Sequence, residues 1–129
     1  MKPYLACGLI LVLLGGCATQ PPVRTVQVLE NSGTEFPAMC MLLQSDGSLL
    51  FKGGFLFYNP SAWRRDAGDG ELLTITVGGS KPFPEGPVAA GLVRSDASRR
   101  ELTYRFGPSA QAIDFAGFYF YRVNACQAQ

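Results

Sequence analysis

Ala38-Met-Cys-Met-Leu-Leu-Gln44 and Ser48-Leu-Leu-Phe-Lys-Gly-Gly-Phe-Leu-Phe-Tyr58 flank the tripeptide Ser45-Asp46-Gly47. A Ser-Asp-Gly turn between two apolar arms predicts a β-hairpin. In the second arm Leu49, Phe51, Phe55 and Phe57 fall on one face, as the period of a strand requires. Gly53-Gly54 interrupts that arm and predicts a bulge or bend.

The same pattern recurs outward from this hairpin. Arg24 to Leu29 is β-branched and alternating. Leu72 to Val77 sets Leu73, Ile75 and Val77 against Thr74 and Thr76. Val88 to Arg94 and Glu101 to Phe106 flank Ser95-Asp96-Ala97-Ser98, a second hairpin, with Leu102, Tyr104 and Phe106 on one face. Ile113 to Val123 reads as one strand apolar on both faces, hence central or covered. Helix signal is confined to Asn59-Pro60-Ser61-Ala62-Trp63, with Asn59 as N-cap and Pro60 at the first position, ended by Arg64 to Gly70. Gly78 to Pro87 carries three prolines and reads as a surface loop. The expected fold is all-β, a small antiparallel sandwich or barrel of about six to eight strands.

Composition limits what such a domain does. The chain has 129 residues, 47% of them hydrophobic and 16% charged, enough for a single domain and too apolar for disorder. It has no histidine, so a Ser-His-Asp triad, a Cys-His pair and an HExxH zinc site are all impossible. The sequence holds no phosphate-binding glycine loop, and neither Lys52 nor Lys81 follows an S-x-x-K pattern. Asp66, Asp69 and Glu71 offer oxygen ligands of the kind calcium takes, but their spacing is not that of an EF-hand, and they read as a solvated turn. The sequence therefore predicts no enzymatic activity, no cofactor and no metal.

The N-terminus carries the sharpest signal. Lys2 precedes an apolar run from Tyr4 to Leu14, too short for the roughly 20 apolar residues that span a bilayer, and Gly15-Gly16-Cys17 follows. Leu14-Gly15-Gly16-Cys17 resembles the lipobox of bacterial lipoproteins. The resemblance covers residues 1 to about 20. It implies a cleaved signal peptide over 1–16, acylation of Cys17 as the new first residue, and a lipidated tether over 17–24 before a single β domain over 25–129. The tether, Thr19-Gln-Pro-Pro-Val-Arg24, is too proline-rich for helix. In such lipoproteins an Asp after the lipidated cysteine favours inner-membrane retention. Ala18 stands there, which implies the outer membrane, with the domain on the periplasmic side.

Cleavage before Cys17 removes Lys2, leaving ten basic and ten acidic side chains. A neutral domain has no general electrostatic attraction for nucleic acid. It also leaves Cys40 and Cys126 as the only thiols not spoken for, and an exported protein predicts a disulfide between them, the alternative being two buried free thiols. That bridge would close a loop of about 85 residues, worth roughly 4–5 kcal/mol on chain entropy alone.

Arg64-Arg65 and Arg99-Arg100 are the basic doublets, both expected in loops. Brought together they would contact lipid phosphates or an acidic protein patch. Trp63 is either a partner anchor or, as a lone Trp in a small domain more often is, a cap on the core. The Tyr119/Tyr121 pair is expected to pack in the core.

These features predict a non-enzymatic envelope lipoprotein, anchored to the membrane through Cys17 and binding an envelope protein partner. Two further readings rest on resemblance. In size, anchor and late Cys126 the chain is similar to membrane-bound lysozyme inhibitors, which implies inhibition of an extracellular hydrolase, although their Ser-Gly loop signature is missing. Val88-Ala-Ala-Gly-Leu-Val93 resembles a strand of the sandwich lipoprotein of contractile secretion systems.

Overall fold

A computed structural model of the chain describes residues 21–32, 38–53, 59–79 and 91–127. The expected signal peptide, Cys17, the first residues of the expected tether, Phe55, Phe57, Lys81 and most of the segment Gly78–Pro87 expected to be a loop lie outside the described residues.

Among the described residues nine strands form two antiparallel sheets: β1 (Thr25–Asn31), β2 (Met39–Gln44), β3 (Leu49–Lys52), β4 (Pro60–Arg65), β5 (Leu72–Val77), β6 (Leu92–Asp96), β7 (Glu101–Arg105), β8 (Ala112–Phe115) and β9 (Phe118–Val123). Sheet A runs β3-β2-β1-β9-β8 and sheet B runs β4-β5-β7-β6. The all-β sandwich expected from the sequence is the fold observed.

The deciding hairpin forms as read. Leu43 pairs with Leu49, and Gly47 donates to Gln44 O at 3.1 Å. Gly47 has φ +90°, a left-handed conformation that closes a three-residue loop. Asp46 Oδ1 accepts from both Ser48 N and Ser48 Oγ, so the turn carries its own hydrogen bonds.

Two elements differ from expectation. Asn59–Trp63 does not begin a helix, because Pro60 opens β4, the outer strand of sheet B. Proline is tolerated at the first residue of an edge strand, where its missing N–H breaks no ladder. The register slips between Pro60 and Ala62, which absorbs the misfit. Ile113–Val123 is not one strand but a tight hairpin. Phe115 pairs with Phe118, and between them Ala116 (φ 54°) and Gly117 (φ 90°) make a left-handed two-residue turn. Asp114 Oδ1 accepts from Gly117 N at 2.9 Å and braces it. These two differences raise the strand count to nine.

Alternation sorts the side chains. Leu29, Met41, Leu43, Leu73, Ile75, Leu102, Tyr104, Ile113, Phe115 and Phe120 point between the sheets and make one buried core. Phe115 and Phe120 meet edge to face at 6.1 Å, an arrangement aromatic rings favour. Tyr104 crosses the core from sheet B, and its hydroxyl donates to Asp114 O on sheet A at 2.9 Å. Burial first, and the Asp114 charge second, push this phenol well above its ordinary range, so it stays a neutral donor.

Cys40 and Cys126 form the expected disulfide, 86 residues apart in sequence. It does not join the two sheets. Cys40 is on the outer face of β2, between the inward Met39 and Met41, and the bridge draws the chain end across the outside of sheet A. There Val28, Cys40, Leu42, Val123 and Cys126 make a second, smaller apolar cluster. Glu30 Oε2 accepts from Gln127 N at 2.6 Å and holds the tail beyond the bridge.

Cys40→Ala should lower unfolding free energy by about 2–5 kcal/mol. It should also abolish the mobility change that reduction causes on a denaturing gel. A variant with the wild-type denaturation midpoint would show that the tail adds nothing to stability.

Candidate functional site

The charged side chains of sheet B form a paired outer face. Thr74 and Thr103 lie side by side on β5 and β7, both buried, with hydroxyl oxygens 2.9 Å apart. Around them the outward cations meet acids. Arg64 forms a two-pronged pair with Glu101, at 2.6 and 3.2 Å. Arg105 lies 3.4 Å from Asp69 and 3.8 Å from Glu71. Arg99 lies 4.0 Å from Asp96, whose carboxylate also caps its own turn through Ser98 Oγ and Arg99 N.

The basic doublets separate in consequence. Arg64 and Arg65 are not in a loop: they end β4, where consecutive side chains face opposite ways. Arg65 turns inward, donates to Phe106 O at 2.6 Å and lies over the Phe106 ring at 5.9 Å. Arg99 and Arg100 are in the β6–β7 turn as expected, but Arg100 donates to the carbonyls of Val77 and Gly79. Arg64 and Arg99 do approach one carboxylate, Glu101. With Asp96 beside it, the group is balanced rather than a bare cationic patch.

Asp66, Asp69 and Glu71 behave as a solvated turn. Asp66 Oδ2 accepts from Gly68 N and Asp69 N, and Asp69 Oδ1 from Glu71 N, so Asp66 and Asp69 cap backbone while Asp69 and Glu71 face Arg105. Among the described residues the one cluster with metal-ligand proximity is Glu30, Cys40 and Cys126. Both sulfurs there are in the disulfide, and a disulfide sulfur is not the thiolate that metals require.

Arg122 was not anticipated from the sequence. It extends inward from β9 next to Phe120, stacks on Phe106 at 4.2 Å, and donates to Gln27 Oε1, Gly107 O and Ala110 O. Phe106 thus has contacts with two guanidinium groups. Burial, then repulsion from Arg122, lowers the pKa of Arg65 from its ordinary value. No acid is paired with either group among the described residues. Both are satisfied by neutral oxygens, so they serve the structure.

Trp63 packs against the core and donates from Nε1 to Gln44 O at 2.8 Å, which makes it a cap on the core. One edge remains exposed to a groove of about 460 Å³ shared with Pro21, Pro22, Val23 and Asp46. Tyr119 and Tyr121 are not core residues. They project from the outer face of β9, 48% and 51% exposed, with rings 6.4 Å apart. Their partners in the strand, Phe118 and Phe120, take the inward positions. The strand is aromatic on both sides, and only the register decides which aromatics are buried.

No helix among the described residues is long and apolar enough to cross a membrane. No protein-family model matches the chain. No curated protein and no solved structure gives a significant match.

The Arg64–Glu101 pair sets a pH dependence. Hydrogen bonding from Arg64, with its charge, holds Glu101 below its ordinary pKa near 4.5. Its contribution is therefore complete above that pH and disappears as pH falls through the lower folded value. Arg64→Ala should cost under about 1 kcal/mol at neutral pH, because the pair is at the surface. The loss relative to wild type should shrink towards zero on acidification. Urea midpoints measured from neutral to acid pH check this, and a gap that widened in acid would contradict the assignment.

Proposed function

We propose that the protein is a non-enzymatic envelope lipoprotein. Acylation of Cys17 holds a disulfide-stapled β-sandwich at the outer membrane, where the domain binds a protein partner. The observation that carries this reading is the Leu14-Gly15-Gly16-Cys17 motif placed directly after a short apolar run. The fold supports it. Pro21 to Arg24 lead from the motif into β1 as non-helical chain, leaving the domain close behind the anchor. A disulfide is the staple of an oxidising compartment. One acyl chain binds a bilayer only marginally, so the two or three chains of a bacterial lipoprotein are what a firm anchor needs.

Most of the described acids and cations, Arg24 and Lys52 aside, are engaged in turn capping, surface pairing and core closure. None forms a convergent catalytic set, which favours a binding role over a reaction. The exposed Tyr119/Tyr121 pair is the best candidate for a partner contact, since exposed tyrosines supply large contact area at low entropic cost.

Cys17→Ser should leave the precursor unlabelled by a fatty-acid analogue and displaced from the outer-membrane fraction. Label retained on the Ser variant would refute the anchor. In the same cells, crosslinking of the wild-type protein in intact envelopes should return one reproducible partner that Tyr121→Ala weakens. Repeated recovery of none would refute the binding role.

A further inference from the structure

Pro21 to Arg24 do not trail away from the domain. Ser45 N donates to Arg24 O at 2.7 Å, and Arg24 N donates to Ser45 Oγ at 3.0 Å. The tether is clipped to the turn between β2 and β3. Cys17 stands a few residues before Pro21, and extended chain covers at most about 14 Å over that interval. An acyl group on Cys17 therefore keeps this corner of the sandwich within roughly that distance of the bilayer.

The corner has the chemistry of a lipid contact. Val23 is 56% exposed, Val26 42% and Leu50 50%. Val23 and Val26 line the tether groove, and Val26 also lines a second groove of about 690 Å³ on the outer face of sheet A, together with Lys52. Arg24 and Lys52 are both exposed beside these apolar side chains. The nearby acid, Asp46, is turned onto Ser48. Apolar side chains flanked by cations, at the point where an anchored chain enters, suit a surface of anionic headgroups over hydrocarbon. Long basic side chains reach the headgroups while valine and leucine sit below them.

We infer that this corner lies against an anionic lipid surface, with Val23, Val26 and Leu50 at the boundary between headgroups and acyl chains. The contact fixes the orientation of the domain. It rests on the anchor reading of Cys17. β1 runs from the corner to Asn31, roughly 20 Å away. Tyr119 and Tyr121 are beside Asn31 and Glu30, at the end far from the tether.

The chain's single tryptophan, Trp63, lines the tether groove and reports the contact. Full-length protein purified from membranes is reconstituted into vesicles of phosphatidylethanolamine and phosphatidylglycerol brominated near the headgroup. These vesicles should quench Trp63 emission. The combined variant Val23→Asp, Val26→Asp, Leu50→Asp should lose at least about half of that quenching, and Leu50→Asp alone a smaller part. Val93→Asp, on edge strand β6, should keep it. Each variant must retain the mobility change on reduction, which shows that its disulfide has formed. Acylated Cys17 by intact mass, with Trp63 unquenched, would overturn the contact and leave the anchor standing. An unmodified Cys17 would overturn both. Crosslinks between copies through this corner, without quenching, would assign it to a dimer and overturn the lipid contact.

Discussion

Two open sheets keep a shared core dry only if the gaps between their edges are shut. On one side the chain does this with backbone. Ser48 on the β3 side bridges Ala62 on β4, and Trp63 donates to Gly47 O from its main chain at 3.0 Å and to Gln44 O from its indole at 2.8 Å. On the other side no strand pairing joins β6 to β8, and side chains close the gap. Tyr104 reaches Asp114 O, and Arg122 reaches the carbonyls of Gly107 and Ala110 in the segment that passes from sheet B to sheet A. Both closures put donors on carbonyls that would otherwise face apolar surroundings, and an unpaired polar group there costs more than the bond gains. Among the described residues no buried side-chain nitrogen or oxygen lacks a partner.

The choice of arginine for this closure follows from its geometry. Phe106 is fully buried, and Arg65 and Arg122 both lie against its ring. Two like charges at one ring repel, and this repulsion adds to the larger effect of burial in lowering the pKa of Arg65. The arrangement holds because a guanidinium is weakly hydrated, stacks on aromatic faces and spreads its donors in a planar fork. Arg122 uses that fork on three different oxygens. A lysine, with a compact and strongly hydrated charge, would reach fewer of them and bear a higher desolvation cost.

Period-two alternation made most of the architecture legible. Leu73, Ile75 and Val77, and Leu102, Tyr104 and Phe106, are buried as their spacing implies, and the Ser45-Asp46-Gly47 turn lies where its composition places it. The failures have physical causes. Ala116-Gly117 lacks the Asn-Gly or Asp-Gly signature of its turn type, and alanine rarely adopts positive φ, so a hairpin read as one long strand. With the turn missed, nothing distinguished the outward Tyr119 and Tyr121 from the inward Phe118 and Phe120. Asn-Pro reads as a helix start, but Pro60 opens a strand at an edge where its missing N–H is harmless. Glu30 and Arg122 carried no local signal. Their roles depend on Gln127, Gly107 and Ala110, which reach them only through the folded topology.

The two outer faces then part company. Sheet B is clad in charge: Arg64 with Glu101, Arg105 with Asp69, and Arg94 reaching Thr103 at 3.4 Å. Such a face is solvated and contributes little net stability. Sheet A carries Val28, Cys40 and Leu42 on its outside, and the chain spends its one described disulfide there, tying the tail across them rather than crossing the core. The tail covers only the middle of that face. Leu50 and Val26 towards the tether, and Tyr119 and Tyr121 towards the far end, remain exposed at its margins. A core short of apolar residues does not explain this, because the space between the sheets already holds a continuous buried apolar cluster, with Arg65 and Arg122 at its margin. Apolar side chains displayed beyond a filled core suit a contact surface, and apart from Val93 on β6 the large exposed ones belong to sheet A or to the segment that leads into it.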